Sequence, residues 1–270
     1  MSLFVLCIGA HPDDNEYSVG GTAALLRKRG DSVKFVTVTS GNKGHFAQDY
    51  IADPSILARR RQREALNAAA VIGAKYEFMG IPDGEVYVTP DATEAMVRVI
   101  RNYGPPGRGP DLVLLNRPND YHRDHRYAAH LVLDATYMLT VPLMCPDTRH
   151  LDRMPVFAYW NDTFTEGGLF RADVVVPIDS VLESKIDMLM EHESQFFEWL
   201  PYNSGETDFP TDPAARRARI AEKHARRADS RKERYPDKVP PGAQFVEAFQ
   251  ISEYGRQPSL EELRTLFPVA

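Results

Sequence analysis

A histidine and two adjacent carboxylates, in the segment Ala10-His11-Pro12-Asp13-Asp14-Asn15-Glu16, carry the strongest chemical signal in the chain. The apolar run before it, Leu3 to Ile8, predicts a buried strand, and the pattern around and after Gly20-Gly21-Thr22 predicts a helix. Parallel α/β sheets place their reactive groups here, just past the carboxyl end of a strand. Two carboxylates and an imidazole are costly to bury unless they bind a cation or take part in a reaction. The segment therefore predicts a cation site or a reaction centre.

A second polar cluster follows another apolar run, Leu112 to Leu115, in the segment Asn119-Asp120-Tyr121-His122-Arg123-Asp124-His125. His122 and His125 are three residues apart at the predicted start of a helix, a spacing that can place both on one side. If the two strands are neighbours across the switch point of the sheet, the two clusters converge on one crevice. Together they offer six side chains, more than one metal ion needs: His11, Asp13, Asp14, His122, Asp124 and His125.

The donor types in the two clusters suit zinc. A catalytic zinc ion takes three protein ligands with nitrogen or oxygen donors and keeps one position open for water. Water bound to such a metal loses its proton near neutral pH, and a remaining carboxylate can act as the general base. A remaining histidine can stabilise an oxyanion or donate a proton. The spacing alone leaves open which aspartate binds the metal, and Fe²⁺ is an alternative because the ligands suit either ion.

The elements that must position these residues alternate between strands and helices in the first half of the chain. Apolar runs predict strands at 3–9, 33–39, 75–79 and 111–115, and helical patterns occupy about 17–29, 56–72 and 91–103. This alternation predicts an α/β fold of the Rossmann-like, doubly wound type, with a mainly parallel sheet and helices on both faces.

The second half of the chain does not keep this regular alternation of strands and helices. Strands are predicted at 155–160, 172–176 and 245–251, helices at 180–199, 212–234 and about 259–266, and a loop at 201–213. We therefore predict one α/β domain over 1–200 and a C-terminal extension over 201–270 that packs on the same domain. The 212–234 helix carries nine Lys or Arg and four Asp or Glu. A solvated helix face is the preferred interpretation of these charges, and a site for an anionic partner is the alternative.

Composition argues against several classes of function. The 270 residues carry a net charge of −6, which argues against nucleic acid as the main partner because phosphate binding needs a basic face. The apolar start is too short for a signal peptide or a membrane span. Cys7 and Cys145 form no CxxC pair, so we expect free thiols and a reduced, cytoplasmic compartment. Gly20-Gly21 lacks the G-x-G-x-x-G pattern, so we expect close helix packing there and no nucleotide cofactor.

The two polar clusters, at this separation and in this order, resemble the zinc-dependent N-deacetylase family of the PIG-L/LmbE type. Further matches are the Arg61-Gln62-Arg63-Glu64 segment with Ile72-Gly73, the Pro82-Asp83-Gly84 turn, and Lys185 with His192-Glu193-Ser194-Gln195. The likeness covers roughly residues 3–200 and is looser after residue 140. It implies a zinc hydrolase that removes the acetyl group from a small N-acetylated amino sugar or its conjugate, such as an N-acetylglucosaminyl conjugate.

The resemblance implies a role for each residue that matches the family pattern. One Zn²⁺ ion would be bound by His11, Asp14 and His125. Asp13 would be the general base that takes the proton from water. His122 would be the electrophilic or acid histidine, and Asp124 would orient it. Arg61 and Asp83 would lie at the substrate end of the pocket.

Plainer interpretations stay open for several of these residues. Asp14 and Asp124 could each cap the helix that follows them, and His122 could be an exposed loop histidine. Arg61 could lie on a solvated helix face, and Asp83 could serve only its turn. For the whole chain, the alternatives are a metal-dependent amidase that acts on a non-sugar amide and a sugar-binding protein without catalysis. The resemblance also leaves a homo-oligomer open.

Overall fold

The computed structural model describes residues 2–206 and 210–269, and its strands form one seven-stranded sheet. The strands are β1 (Phe4–Gly9), β2 (Ser32–Thr39), β3 (Lys75–Ile81), β4 (Leu112–Leu115), β5 (Val156–Trp160), β6 (Val174–Pro177) and β7 (Val246–Ile251). Their order across the sheet is β3-β2-β1-β4-β5-β7-β6. The strands from β3 to β5 are parallel, whereas β7 runs antiparallel to both β5 and β6.

Helices cover both faces of the sheet. They are α1 (Asp14–Arg29), α2 (Gln48–Ala52), α3 (Pro54–Ile72), α4 (Pro90–Arg101), α5 (Arg123–Met138), α6 (Leu182–Met190), α7 (Leu200–Asn203), α8 (Pro213–Arg234) and α9 (Leu260–Leu266). Apolar side chains of α1, α3, α6 and α9 form a core on one face, and those of α4 and α5 form a core on the other. The predicted α/β class with a mainly parallel, doubly wound sheet is therefore confirmed. Within the described ranges, none of the helices combines the length and the apolar character that a membrane crossing requires.

The two strands that precede the polar clusters are neighbours in the sheet. β1 pairs with β2 on one side and with β4 on the other, and Ile8 lies opposite Leu115 in the register. The chain order reverses between β1 and β4, which makes this position the switch point of the sheet. The loops after both strands therefore leave the same edge side by side, as the sequence predicts.

Three segments differ from the sequence prediction. The loop after β2 contains the short helix α2, which has no apolar periodicity to reveal it. The predicted 180–199 helix is divided into a 3₁₀ turn at Asp179–Val181, α6, and a π-helical turn at Ser194–Trp199. Ser194 donates its amide and hydroxyl hydrogens to Glu64 over 3.1 and 2.5 Å, which ties this break to α3. The predicted 201–213 loop begins with α7 instead, and its residues 207–209 lie outside the described part.

The region after residue 200 supplies part of the sheet itself. β7 lies between β5 and β6, and Glu247 on β7 forms a fully buried ion pair with Lys185 of α6 at 2.5 Å. Glu247 also accepts the amide hydrogens of Gly21 and Thr22 in α1, over 3.0 and 2.7 Å. A Cβ atom at Gly21 would lie 2.7 Å from Ile178, so glycine permits this close packing. The extension is thereby joined to α6 and to α1, the helix that follows the first polar loop.

Candidate metal centre and active-site cavity

The loop after β1 directs its two aspartates into different environments. Asp13 precedes α1 with φ 131°, a conformation that residues other than glycine rarely adopt and that costs about 1–3 kcal/mol. Asp14 begins the helix, and its Oδ2 accepts the amide hydrogens of Ala10 and His11 over 2.9 and 2.8 Å. A Cβ atom at Gly9 would lie 2.7 Å from the Asp14 Cβ, so glycine makes room for this turn. The Asp14 carboxylate therefore folds back over the loop and does not cap the helix.

Three donor atoms from the two polar loops lie close together. The His11 Nδ1 atom is 3.2 Å from His125 Nε2 and 3.6 Å from Asp14 Oδ2. The distance from His125 Nε2 to Asp14 Oδ2 is 3.5 Å. Donors at about 2.0–2.1 Å around a tetrahedral ion are separated from one another by about 3.3–3.4 Å. The two imidazole nitrogens and the carboxylate oxygen therefore fit one tetrahedral cation of the zinc type.

Each histidine of this group is held by a carboxylate at its other ring nitrogen. His11 Nε2 is 3.2 Å from Asp124 Oδ2, and His125 Nδ1 is 3.0 Å from Asp120 Oδ2. Metal-ligating histidines almost always have such a partner, which fixes the tautomer and the orientation of the ring. Asp120 was missed as a functional residue by sequence reasoning. The sequence feature that could have indicated it is a carboxylate in the same loop, five residues before His125.

Asp124 directs its carboxylate to His11 and its backbone amide to His122, whereas the resemblance implies only that it orients His122. Its carboxylate accepts the amide hydrogen of Gly84 over 2.6 Å and contacts His11. α5 begins at Arg123, so Asp124 lies in its first turn and does not cap it. His122 is the capping residue, and its Nδ1 accepts the backbone amide hydrogen of Asp124 over 3.2 Å. Because Nδ1 is an acceptor, the neutral ring carries its hydrogen on Nε2.

Two other groups of donors share His11. One contains His122 and His125, the other contains Asp83 and Asp124, and the donor atoms within each group lie within 4.8 Å of one another. Both oxygens of Asp83 accept backbone amide hydrogens, from Gly41 over 2.9 Å and from Lys43 over 3.0 Å. The group with Asp14 can also hold a cation, because its separations are close to tetrahedral geometry and both of its histidines have a carboxylate partner.

Asp13 faces an arginine inside the protein. Its Oδ1 accepts a hydrogen bond from Arg61 Nη2 over 3.1 Å, and the same nitrogen donates to the carbonyl of Pro12 over 2.8 Å. Arg61 is only 2% exposed, which excludes the solvated helix face considered for it. Burial raises the pKa of Asp13 to about 6, although the positive charge of Arg61 lowers it. This carboxylate is therefore a stronger base than an aspartate in water.

A buried acid and a buried histidine lie behind this site. His192 Nε2 is 3.4 Å from Glu16 Oε1, and both side chains are inaccessible to solvent. Burial lowers the pKa of His192, but the charges of Glu16 and Asp13 outweigh it and raise the pKa above its ordinary value. His192 is therefore packed inside the protein and does not lie on an exposed helix face.

The charges of the two loops shift the pKa values of the donors. Burial raises the pKa of Asp14, but the interactions of its carboxylate with His125 and His11 outweigh burial and lower that pKa well below the ordinary range. Burial lowers the pKa of His11, but hydrogen bonds to Asp124 and Asp14 raise it to about 10. Burial and the two neighbouring histidines lower the pKa of His122. The carboxylates around His11 therefore favour positive charge at this position, which a bound cation would supply, whereas the surroundings of His122 favour a neutral ring.

The two loops open into a cavity of about 720 Å³. Such a volume lies within the roughly 300–1,000 Å³ that is typical of small-molecule sites. The donor group, Asp13, Arg61 and Asp83 all line it, and aromatic walls are formed by Tyr121, Trp160, Phe164 and Trp199. A substrate role for Arg61 and Asp83 stays a prediction, since both side chains also hold the loops in place through hydrogen bonds.

Comparison with known proteins places the chain among its relatives. Residues 6–136 match the family model PIG-L, described as GlcNAc-PI de-N-acetylase. The chain carries a PIG-L family domain over these residues. The match runs from β1 into α5 and so contains both polar loops with every candidate ligand. Family members are metal-dependent deacetylases of N-acetylated sugars, in keeping with the donor group described above.

Individual relatives of this PIG-L protein include two kinds of enzyme. The chain is 29% identical over 211 residues to diacetylchitobiose deacetylase of Thermococcus kodakarensis, which covers 73% of the chain and 74% of that enzyme. It is 26% identical over 201 residues to 4-oxalmesaconate hydratase of Pseudomonas putida, which covers 73% of the chain and 76% of that enzyme. The solved N,N'-diacetylchitobiose deacetylase of Pyrococcus horikoshii shares the fold, with a TM-score of 0.71 at 21% identity over 93% of this chain and 84% of the other.

Proposed function

We propose that this PIG-L protein is a zinc-dependent hydrolase that removes the acetyl group from an N-acetylated amino sugar or its conjugate. The observation that carries the proposal is the group of three donor atoms, 3.2–3.6 Å apart, beside the buried carboxylate of Asp13. His11, Asp14 and His125 would hold the ion. A divalent ion held there supplies a Lewis acid for the amide carbonyl and a water of lowered pKa.

Asp13 is proposed to move the proton of the reaction. Its pKa of about 6 lets it accept a proton from the attacking water near neutral pH and give it up again to a more basic nitrogen. Water adds to the acetyl carbon, the proton passes through Asp13 to the departing nitrogen, and the C–N bond breaks. The products are acetate and a free amine. Arg61 keeps the carboxylate in place through its hydrogen bond to Oδ1.

His122 is proposed to bind the acetyl oxygen as a neutral hydrogen-bond donor. Its Nδ1 accepts from the backbone, so Nε2 carries the hydrogen, and the ring lines the cavity beside His11 and His125. A preorganised donor of this kind stabilises negative charge that develops on the oxygen during attack. Of the electrophilic and acid roles that the resemblance implies for His122, this is the electrophilic one, because burial and two histidines disfavour a further positive charge.

The similarity to a hydratase supports a second candidate function. A hydratase adds water to its substrate without releasing acetate or an amine, and the same donor group and Asp13 could activate that water. The hydratase matches the same share of the chain as the deacetylase does, at 26% against 29% identity. The sequence similarity therefore favours deacetylation only by a small margin. The carboxylate and histidine chemistry of the loops does not separate the two reactions.

Product analysis separates the two functions. The zinc-loaded protein is incubated with methyl N-acetylglucosaminide and N,N'-diacetylchitobiose, and in parallel with unsaturated dicarboxylates whose double bond absorbs in the ultraviolet. Deacetylation predicts acetate and primary amine in equal amounts from a sugar, with loss of activity in a chelator and recovery on addition of zinc. Loss of the double-bond absorbance without acetate from any sugar would replace the proposal by the hydratase function.

A further inference from the structure

Two cations of the C-terminal extension reach the active-site cavity. Lys223 and Arg227 of α8 line it together with Tyr17 of α1. The guanidinium carbon of Arg227 lies 4.0 Å from the centre of the Tyr17 ring. Tyr17 follows Asp14 by three residues, or about 4.5 Å along the helix axis, so Arg227 lies near the candidate ligands. The cavity therefore joins an acidic metal end to a basic wall.

Arg227 differs from the other arginines of α8 in its partners. Its Nη1 atom is buried and has no hydrogen-bond partner in the part of the chain that the structure describes. By contrast, Arg216 pairs with Glu193, Arg217 with Glu183 and Asp187, and Arg226 with Glu222. A buried donor without a partner is destabilising, and more so when the group is charged. Arg227 therefore lines the cavity with a guanidinium that pairs with no carboxylate in the described ranges.

Several cations cluster around His224 and Arg227. His224, on the same helix, has its pKa lowered to about 2 by burial and by four nearby cations, Lys185, Arg227, Arg231 and Lys223. Glu247 pairs with Lys185, and it is the carboxylate that acts most strongly on the pKa of Arg231. Of these cations, Lys223 and Arg227 line the cavity, so this wall carries positive charge that can attract an anion although the whole chain has a charge of −6.

We propose that Arg227, assisted by Lys223, binds an oxyanion of the substrate. The oxyanion is a carboxylate or a phosphate, and it lies outside the acetamido group whose hydrolysis the proposed function assigns to the metal end. A guanidinium suits both groups because its planar fork donates two parallel hydrogen bonds. The inference rests on the proposed function and narrows its substrate class to anionic conjugates of N-acetylated amino sugars.

Three glycosides that share one sugar test the proposal: methyl N-acetylglucosaminide, carboxymethyl N-acetylglucosaminide and N-acetylglucosamine 1-phosphate. Acetate release gives kcat/KM with the zinc-loaded protein, and calorimetry gives Kd in an Asp13→Asn background that prevents turnover. We expect at least one anionic glycoside to exceed the neutral one about tenfold or more in both quantities. Arg227→Gln should reduce the affinity for that glycoside about 10- to 100-fold, the loss expected for a charge-assisted hydrogen bond.

The matched control is Arg226→Gln, which removes the adjacent exposed guanidinium of the same helix and should keep the wild-type preference. If Arg227→Gln does not fold, as judged by thermal melting, Lys223→Gln replaces it and should also weaken the anionic preference. Equal constants for the three glycosides, or a preference that survives Arg227→Gln, would overturn the oxyanion site and leave the proposed function intact. Arginine-dependent binding of an anionic glycoside without acetate release would support the site and overturn the proposed function.

Discussion

Replacement of Asp120 by asparagine tests how the histidines that are proposed to bind the metal are held. Asp120 is 12% exposed, and its Oδ2 lies 3.0 Å from the Nδ1 of His125. Its other oxygen accepts the backbone amide hydrogen of His122 over 2.8 Å, and the asparagine carbonyl can keep that bond. The amide NH₂ group would then face the Nδ1–H of His125, so two donors would oppose each other. The ring must therefore rotate, because a shift of the hydrogen to Nε2 would block the atom that is proposed to bind the ion.

The expected weakening of zinc binding follows from the loss of this one carboxylate. Loss of the partner of a metal-ligating histidine weakens metal binding about 10- to 100-fold, or about 1.4–2.7 kcal/mol. We therefore expect the zinc dissociation constant of Asp120→Asn to rise by that factor while its thermal melting without metal stays within a few degrees of the wild type. Competition with a chromogenic zinc chelator measures the dissociation constant.

The control for this experiment is Asp152→Asn. This variant also removes a carboxylate from an ion pair. The pair of Asp152 with Arg149, however, is exposed and distant in sequence from both polar loops. Its zinc affinity should equal that of the wild type. The reasoning would be refuted if Asp120→Asn bound zinc within twofold of the wild type, because the carboxylate would then have no part in holding His125.

Three further perturbations have defined outcomes. Asp13→Asn should retain zinc and lose roughly 10²- to 10⁴-fold in kcat, and full activity would show that another group takes the proton. Glu247→Gln leaves the buried ammonium of Lys185 without its partner, so urea denaturation should show a loss of about 3 kcal/mol, and a loss below 1 kcal/mol would contradict this account of the pair. The pKa of His224 falls from 6.5 to about 2 on folding, so the unfolded chain takes up its proton first as the pH drops. The stability of the wild type relative to that of His224→Leu should therefore fall by about 1.6 kcal/mol from pH 6.5 to 5, and equal pH profiles of the two proteins would exclude this effect.

The sheet and the convergence of the two polar loops could be predicted because both depend on strong local patterns. The buried strands are runs of apolar residues, such as Leu112–Leu115, and the helices between them carry glycine or proline at their ends. Those patterns define parallel β-α units, and the carboxyl edge of such a sheet is where loops meet. The adjacency of β1 and β4 was the one assumption in that argument, and the observed pairing confirms it.

The contacts that orient the side chains could not be predicted from spacing. Asp124 bonds to His11, more than a hundred positions away, although His122 is only two residues from it. Arg61 lies among other arginines of a charged helix, and only the tertiary fold buries it against Asp13. The basic wall at Arg227 could not be predicted for the same reason, because the sequence of α8 alone predicts a solvated charged helix. Each of these contacts joins segments whose relative positions cannot be predicted from a local sequence pattern.

The central claim, that His11, Asp14 and His125 hold one divalent cation, is tested most directly by metal content. Zinc is measured per chain by elemental analysis after dialysis against a limiting zinc buffer, in the wild type, Asp14→Asn and His122→Gln. The account predicts one ion per chain in the wild type and in His122→Gln, and none in Asp14→Asn. Zinc retained by Asp14→Asn and lost by His122→Gln would instead assign the site to the three histidines, and a wild-type chain that binds no divalent ion would contradict the account altogether.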